Sequence, residues 1–225
     1  MTTWRSDAAA ETNAALRCSL PFASFYVYSP RGSGALAAGA RLLCRRIKLS
    51  DPLWLPGYAR CVVELAIRQP MFGRLFSRDA WLVPVPPSTC AAPVCWAAWQ
   101  LASALHALGL ARGVWVGLVR RSPVRKSATA LVGERPTVHQ HYGSLAVRCA
   151  APQALTERVV LIDDVITRGR TLLAAAARLR GTLPHADVRA FALVRTLGFV
   201  SHLERLVAPC EGVVYWAGGD ARREP

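Results

Sequence analysis

Two periods of apolar and polar positions run along this chain, and the changes between them mark its elements. "FASFYVYSP" crowds aromatic and β-branched residues ahead of Pro30, Gly32 and Gly34, which predicts a strand. In "ALAAGARLLCRRIK" the spacing turns helical, with Leu36, Ala40, Leu43 and Ile47 on one face and Arg41, Arg45, Arg46 and Lys48 largely elsewhere. "GYARCVVELAIRQP" predicts a second helix that Pro70 stops. "AWLVPVP" is a short buried strand, followed by the turn "PSTCAAP" and a helix from about Val94 to Leu110. "VWVGLVRR" is strand-like and runs into "SPVRKSATALVGERPTVHQHYGS", a long basic stretch of weak periodicity.

Beyond this stretch the pattern becomes regular. A strand from Val159 to Ile162, a turn, a helix from Leu172 to Leu179 closed by Gly181, and the strand "DVRAFALVRT" form a βαβ unit. The fold class is therefore α/β, a parallel sheet flanked by helices. The tail "CEGVVYWAGGDARREP" predicts one more short strand. The polar, alanine-rich start reads as a flexible leader over residues 1–20, with a single domain over residues 21–225.

Composition adds a charge signal. Of 28 basic residues only Lys48 and Lys126 are lysines, and the net charge is +14, which suits phosphate-rich partners because guanidinium forks match phosphate oxygens. Single-stranded DNA is one such partner, although the charges are spread along the chain instead of clustering with aromatic residues. Seven cysteines lack any Cys-x-x-Cys pair and read as reduced thiols of a cytoplasmic protein without an export signal. The uncharged stretch between Asp79 and Arg112 is broken by four prolines, and Gln100, Ser103 and His106 give its helix a polar stripe; a buried amphipathic helix fits better than a membrane span.

The chemistry concentrates in "VVLIDDVITRGRT". Ligands of parallel sheets sit beyond the carboxyl ends of the strands, where Asp163–Thr171 falls. Thr167, Arg168, Gly169, Arg170 and Thr171 offer backbone N–H groups, two hydroxyls and a helix N-terminus, a cradle for a phosphate monoester. Asp163 and Asp164 would repel that phosphate, but they suit the donor hydroxyls of a sugar. Successive strand residues face opposite ways, which argues against a shared-proton dyad. The turn thus reads as a holder of ribose 5-phosphate.

This stretch resembles the phosphoribosyl diphosphate (PRPP) signature of type I phosphoribosyltransferases, with Asp163, Asp164, Thr167, Gly169 and Thr171 on the matching positions and Arg168 in place of a second threonine. "YSPRGSG", "RIK", "LVPVPPS" and the basic segment after "LVRR" follow the order of ComF-type phosphoribosyltransferase-like proteins, associated with bacterial competence. Two departures stand out: there is no four-cysteine zinc ribbon, and "STCAAPVCWAAWQ" replaces an Arg-Gly-Phe-Asn-Gln-like stretch, removing a cation beside the pyrophosphate.

The resemblance implies that Asp163 and Asp164 are the catalytic acids holding the ribose hydroxyls and that residues 167–171 bind the 5′-phosphate. Pro87 and Ser88 would form the pyrophosphate loop, and Ser122–His141 a mobile hood whose Arg125, Lys126 and Arg135 neutralise pyrophosphate. Mg²⁺ would bridge substrate oxygens, with no dedicated protein metal site. His139 and His141 lack a third ligand and read as surface-loop residues, and the tryptophans suit packing or a homodimer interface. Two classes of function remain: a phosphoribosyltransferase acting on a nitrogenous base, or a non-catalytic PRPP or nucleotide binder working with DNA or competence proteins.

Overall fold

The computed structural model describes residues 12–49, 54–90, 95–125, 134–148, 158–198 and 200–225. One mixed sheet of seven strands organises them: β1 (Ser19–Tyr28), β2 (Trp81–Pro84), β3 (Gly113–Val114), β6 (Arg158–Ile166), β7 (Asp187–Thr196), β8 (Val207–Ala217) and β9 (Asp220–Glu224). Their spatial order is β3-β2-β6-β7-β1-β8-β9, and β4 (Leu118–Arg120) pairs with β5 (Leu145–Val147) apart from it. The pairs from β3 through β1 are parallel, whereas β1 with β8 and β8 with β9 run antiparallel. The α/β architecture expected from the sequence is present.

Helices cover both faces. On one lie α1 (Gly34–Lys48), α2 (Leu55–Arg68), α3 (Pro70–Leu75) and α4 (Ala97–Ala107); the other carries α5 (Val138–Ser144) and α6 (Arg170–Thr182). Strand alternation explains how β6 serves both: Val159 and Leu161 pack with Leu172, Leu173 and Leu179 of α6, while Val160 and Ile162 pack with Leu101 and Leu105 of α4. A strand covered on both sides must be apolar at every position, which is why "VVLI" is an unbroken run. Among the described residues no helix is long and apolar enough to cross a membrane.

Several expectations need correction. Residues 1–11 of the expected leader lie outside the described residues, but 12–16 are helical, β1 begins at Ser19, and Leu16 and Leu20 are fully buried in the core. Pro70 does not simply end a helix; it starts α3 as a first-turn residue, where its missing N–H costs nothing. Helix α1 buries Ala37, Ala40, Cys44 and Ile47, so two small residues replace Leu36 and Leu43 at the tight sheet contact. Gly181 lies inside α6, with Leu183 as the C-cap. The tail forms two strands in place of one, because the left-handed Gly218 and Gly219 make a hairpin of β8 and β9.

Candidate functional site

β6 delivers two carboxylates to the carboxyl edge of the sheet. The amide of Asp164 donates to Asp163 Oδ1 at 2.9 Å, and that of Val165 to Asp164 Oδ1 at 2.8 Å, so each side chain is braced by the next peptide. Burial, then the neighbouring charge of Asp164 and a hydrogen bond to its side chain, holds the Asp163 carboxyl well above the usual carboxylate range. The charge of Asp164 thus acts on Asp163 although the two residues follow one another along the strand. Lys48 opposes this shift from α1. Burial pushes the Cys44 thiol up to about 12, against the pull of Lys48 and with the charge of Asp164.

After Ile166 the chain turns into α6. Gly169 is its N-cap, with φ +81, and no side chain caps the helix. The first-turn amides are thus left for an anion, with the helix dipole behind them. Gly169 is required for two reasons: its conformation is left-handed, and a Cβ there would stand 2.6 Å from Val214 Cγ1. Thr167 and Arg168 are exposed, and Thr171 is partly buried. The Arg170 side chain is engaged elsewhere: Arg170 Nε donates to Asp220 Oδ1 at 2.6 Å and Arg170 Nη1 to the Pro136 carbonyl at 3.0 Å. Arg168 reaches the same Asp220 through a single contact of 3.1 Å. Those hydrogen bonds outweigh burial and hold Asp220 below the usual carboxylate range.

Pro87 and Ser88 stand beside the acids because β2 pairs with β6, Pro84 opposite Ile162, and Val85 N–H extends the ladder to the Ile162 carbonyl at 2.9 Å. The turn's own carbonyls are occupied. Val124 N–H donates to the Ser88 carbonyl at 2.9 Å, and Arg120 Nε to that of Pro87 at 2.7 Å. Arg120 was not singled out by sequence reasoning. It is 7% exposed, forms no ion pair among the described residues, and also donates to Ser144 Oγ. Burial lowers its pKa while the charge of Asp163 opposes that shift. A cation thus stands at the side of the site where the sequence pattern lacked one.

Of the expected hood, residues 122–125 and 134–141 are described. Lys126 lies outside the described residues, Arg125 pairs with Glu134, and Arg135 is partly buried beside Pro136. Residues 138–144 form α5, started by a capping box in which Gln140 N–H donates to Thr137 Oγ1 at 3.2 Å and Thr137 N–H to Gln140 Oε1 at 2.8 Å. The Thr-x-x-Gln spacing in the sequence carried that signal. His139 stacks near Trp216 at 5.0 Å, but His141 is corrected from a surface residue to a buried one. Its Nε2 lies 3.5 Å from Thr171 Oγ1, and burial, Arg120 and Arg170 together lower its pKa to about 4.

This shift has a measurable consequence. As pH falls below the ordinary histidine value of about 6.5, the unfolded chain takes up the proton first, so stability is lost toward pH 4, by about 3 kcal/mol in full. Replacing His141 with Phe removes that loss, and Tm between pH 6.5 and 4 falls less than in the parent. Parallel Tm profiles for the two proteins would contradict the assignment.

Over 108 residues, 48% of this chain, the sequence is 33% identical to an adenine phosphoribosyltransferase from Rhodospirillum centenum (strain ATCC 51521 / SW). The likeness supports a phosphoribosyltransferase-like relationship. The seven-stranded, mostly parallel sheet flanked by helices is consistent with that fold. The match spans 60% of the relative's length. No family model matches the chain.

Proposed function

We propose that this protein binds PRPP and transfers its phosphoribosyl group to a nitrogenous base. The observation that carries the reading is one juxtaposition: the acid pair at the end of β6, the uncapped N-terminus of α6 across the Gly169 turn, and the Pro87–Ser88 turn held beside them by β2. The order of the flanking motifs supports a place near the ComF-type proteins.

In this reading the ribose hydroxyls donate to the Asp163 and Asp164 oxygens. The 5-phosphate lies on the amides of residues 168–171 and the Thr167 and Thr171 hydroxyls. At C1 the bond to pyrophosphate breaks, its electron pair leaving on the pyrophosphate oxygen, and the lone pair of the base nitrogen forms the new C1–N bond. Positive charge grows on the ring during this exchange, and the nearby carboxylates stabilise it. Arg120 and Arg125 flank the departing pyrophosphate and offset its charge. Positioning and charge supply the rate, so no covalent nucleophile is needed.

Mg²⁺ fits this donor set because two carboxylates, hard oxygen donors, stand together at the site; Asp163 and Asp164 would hold it together with substrate oxygens. Its chemistry would be to neutralise the pyrophosphate.

The test incubates the protein with PRPP, Mg²⁺ and a panel of purine, pyrimidine and pyridine bases while following pyrophosphate release. Release that depends on one class of base is the expected result. Saturable PRPP binding without release from any base would instead assign the protein to non-catalytic PRPP or nucleotide binding.

A further inference from the structure

Three contacts tie the C-terminal hairpin to the turn at the heart of the site. Val214 of β8 packs where a Cβ on Gly169 would stand. Asp220, which opens β9, receives Arg170 through two nitrogens and Arg168 through one, while its own orientation is set by the Ala221 amide at 2.8 Å. Arg223, the cross-strand neighbour of Val214, donates from Nη1 to the Ile166 carbonyl at 3.1 Å and from Nη2 to the Thr196 carbonyl at 2.6 Å.

The last pair of contacts addresses an electrostatic problem of the fold. Parallel strands end in carbonyls whose partial negative charge faces the place where a phosphate must sit. Arg223 covers the terminal carbonyls of β6 and β7 together, directly before Thr167, and Arg195 stands near enough for its like charge to act on it. Neither guanidinium is paired with a carboxylate among the described residues. Burial, then the charge of Arg195, lowers the Arg223 pKa, yet it remains an arginine with no acid to neutralise it. Asp220 acts on the other flank: it fixes Arg170 and holds Arg168, whose side chain is 60% exposed, beside the turn.

We propose that the β8–β9 hairpin is a working part of the phosphate cradle, with Asp220 and Arg223 as positioning residues. Arg223 holds the end of β6 and cancels the strand-end dipoles, while Asp220 keeps Arg168 in reach of the incoming phosphate. This inference rests on the ribose-phosphate reading of the turn.

The test is calorimetry with ribose 5-phosphate on the parent chain and on Arg223→Met, Arg223→Lys and Asp220→Asn, each confirmed folded by circular dichroism. Arg223→Met is expected to bind about tenfold more weakly, and Arg223→Lys, which keeps the charge, to recover most of the loss. Asp220→Asn is expected to weaken binding about threefold to tenfold. Parent-like affinity in Arg223→Met, or a lysine variant as weak as the methionine one, overturns the proposal. Should the methionine variant fail to fold, Asp220→Asn decides, and parent-like affinity there overturns it. A parent chain that does not bind ribose 5-phosphate refutes the reading of the turn itself, a result distinct from these.

Discussion

Replacing Asp163 and Asp164 together with alanine is expected to abolish PRPP binding in calorimetry while leaving the chain folded. In the proposed reading the two carboxylates, each braced by the following amide, accept the ribose hydroxyls, and the hydrocarbon left behind would offer the sugar nothing in exchange. Each hydroxyl–carboxylate hydrogen bond is worth roughly 1.5 to 3 kcal/mol, so losing at least two lowers affinity by two orders of magnitude or more. The single variant Asp163→Asn separates function from stability. Because the folded Asp163 carboxyl is raised above its unfolded value, native stability is fullest below the unfolded pKa of about 4 and declines as pH rises through the folded one. Asparagine mimics the protonated form at every pH. The variant is therefore expected to melt higher than the parent at neutral pH, to lose that advantage near pH 3, and to bind PRPP poorly throughout. A Tm difference that does not vary with pH would show that the acid pair is not strained in the fold.

The second large effect is expected at Arg120. Arg120→Met keeps much of the side-chain volume but removes the charged donor to the part-buried Pro87 carbonyl and to Ser144 Oγ, which keeps its own bond to the His141 carbonyl; each lost contact is worth about 1 to 2.5 kcal/mol. Together they predict a loss of about 2 to 5 kcal/mol in denaturant unfolding. The same change frees the Pro87–Ser88 turn and removes a cation beside Asp163, so PRPP affinity falls along with stability. Arg120→Lys retains the charge but loses the planar fork that serves two acceptors at once, and an intermediate result follows. A methionine variant as stable as the parent would mean that neither contact contributes to the fold.

What could be read early and what could not divides along sequence separation. The acids, the Gly169 turn and α6 were legible because they are contiguous: apolar run, acids, small turn and Ala/Leu helix follow within one stretch, and local rules apply. The βαβ unit followed from the same logic. Arg120 was not legible, since its partner Ser144 lies 24 residues away. Asp220 was equally hidden, at 50 residues from Arg170. His141 was misread for the same reason, as a histidine in a basic stretch shows its burial only once α5 has packed onto α6. The Thr-x-x-Gln capping box at Thr137 was a local signal for α5 that the reading of this stretch as a basic segment of weak periodicity passed over.

By itself the sequence determined the α/β class with its parallel βαβ core and that one strand end carries two acids before a glycine-hinged helix start, whereas the antiparallel β8–β9 edge was not read from it. Period, β-branching and the positive-φ glycine are properties of neighbouring residues, so no distant contact is needed to read them. Only the tertiary structure decided the electrostatics of the site. Which arginine stands beside Asp163, which is spent on Asp220, and which acid is pushed toward its neutral form depend on burial and on charges brought together from β4, α5, α6 and β9. Those interactions act through space at a few ångströms, and a chain written in one dimension does not record such distances.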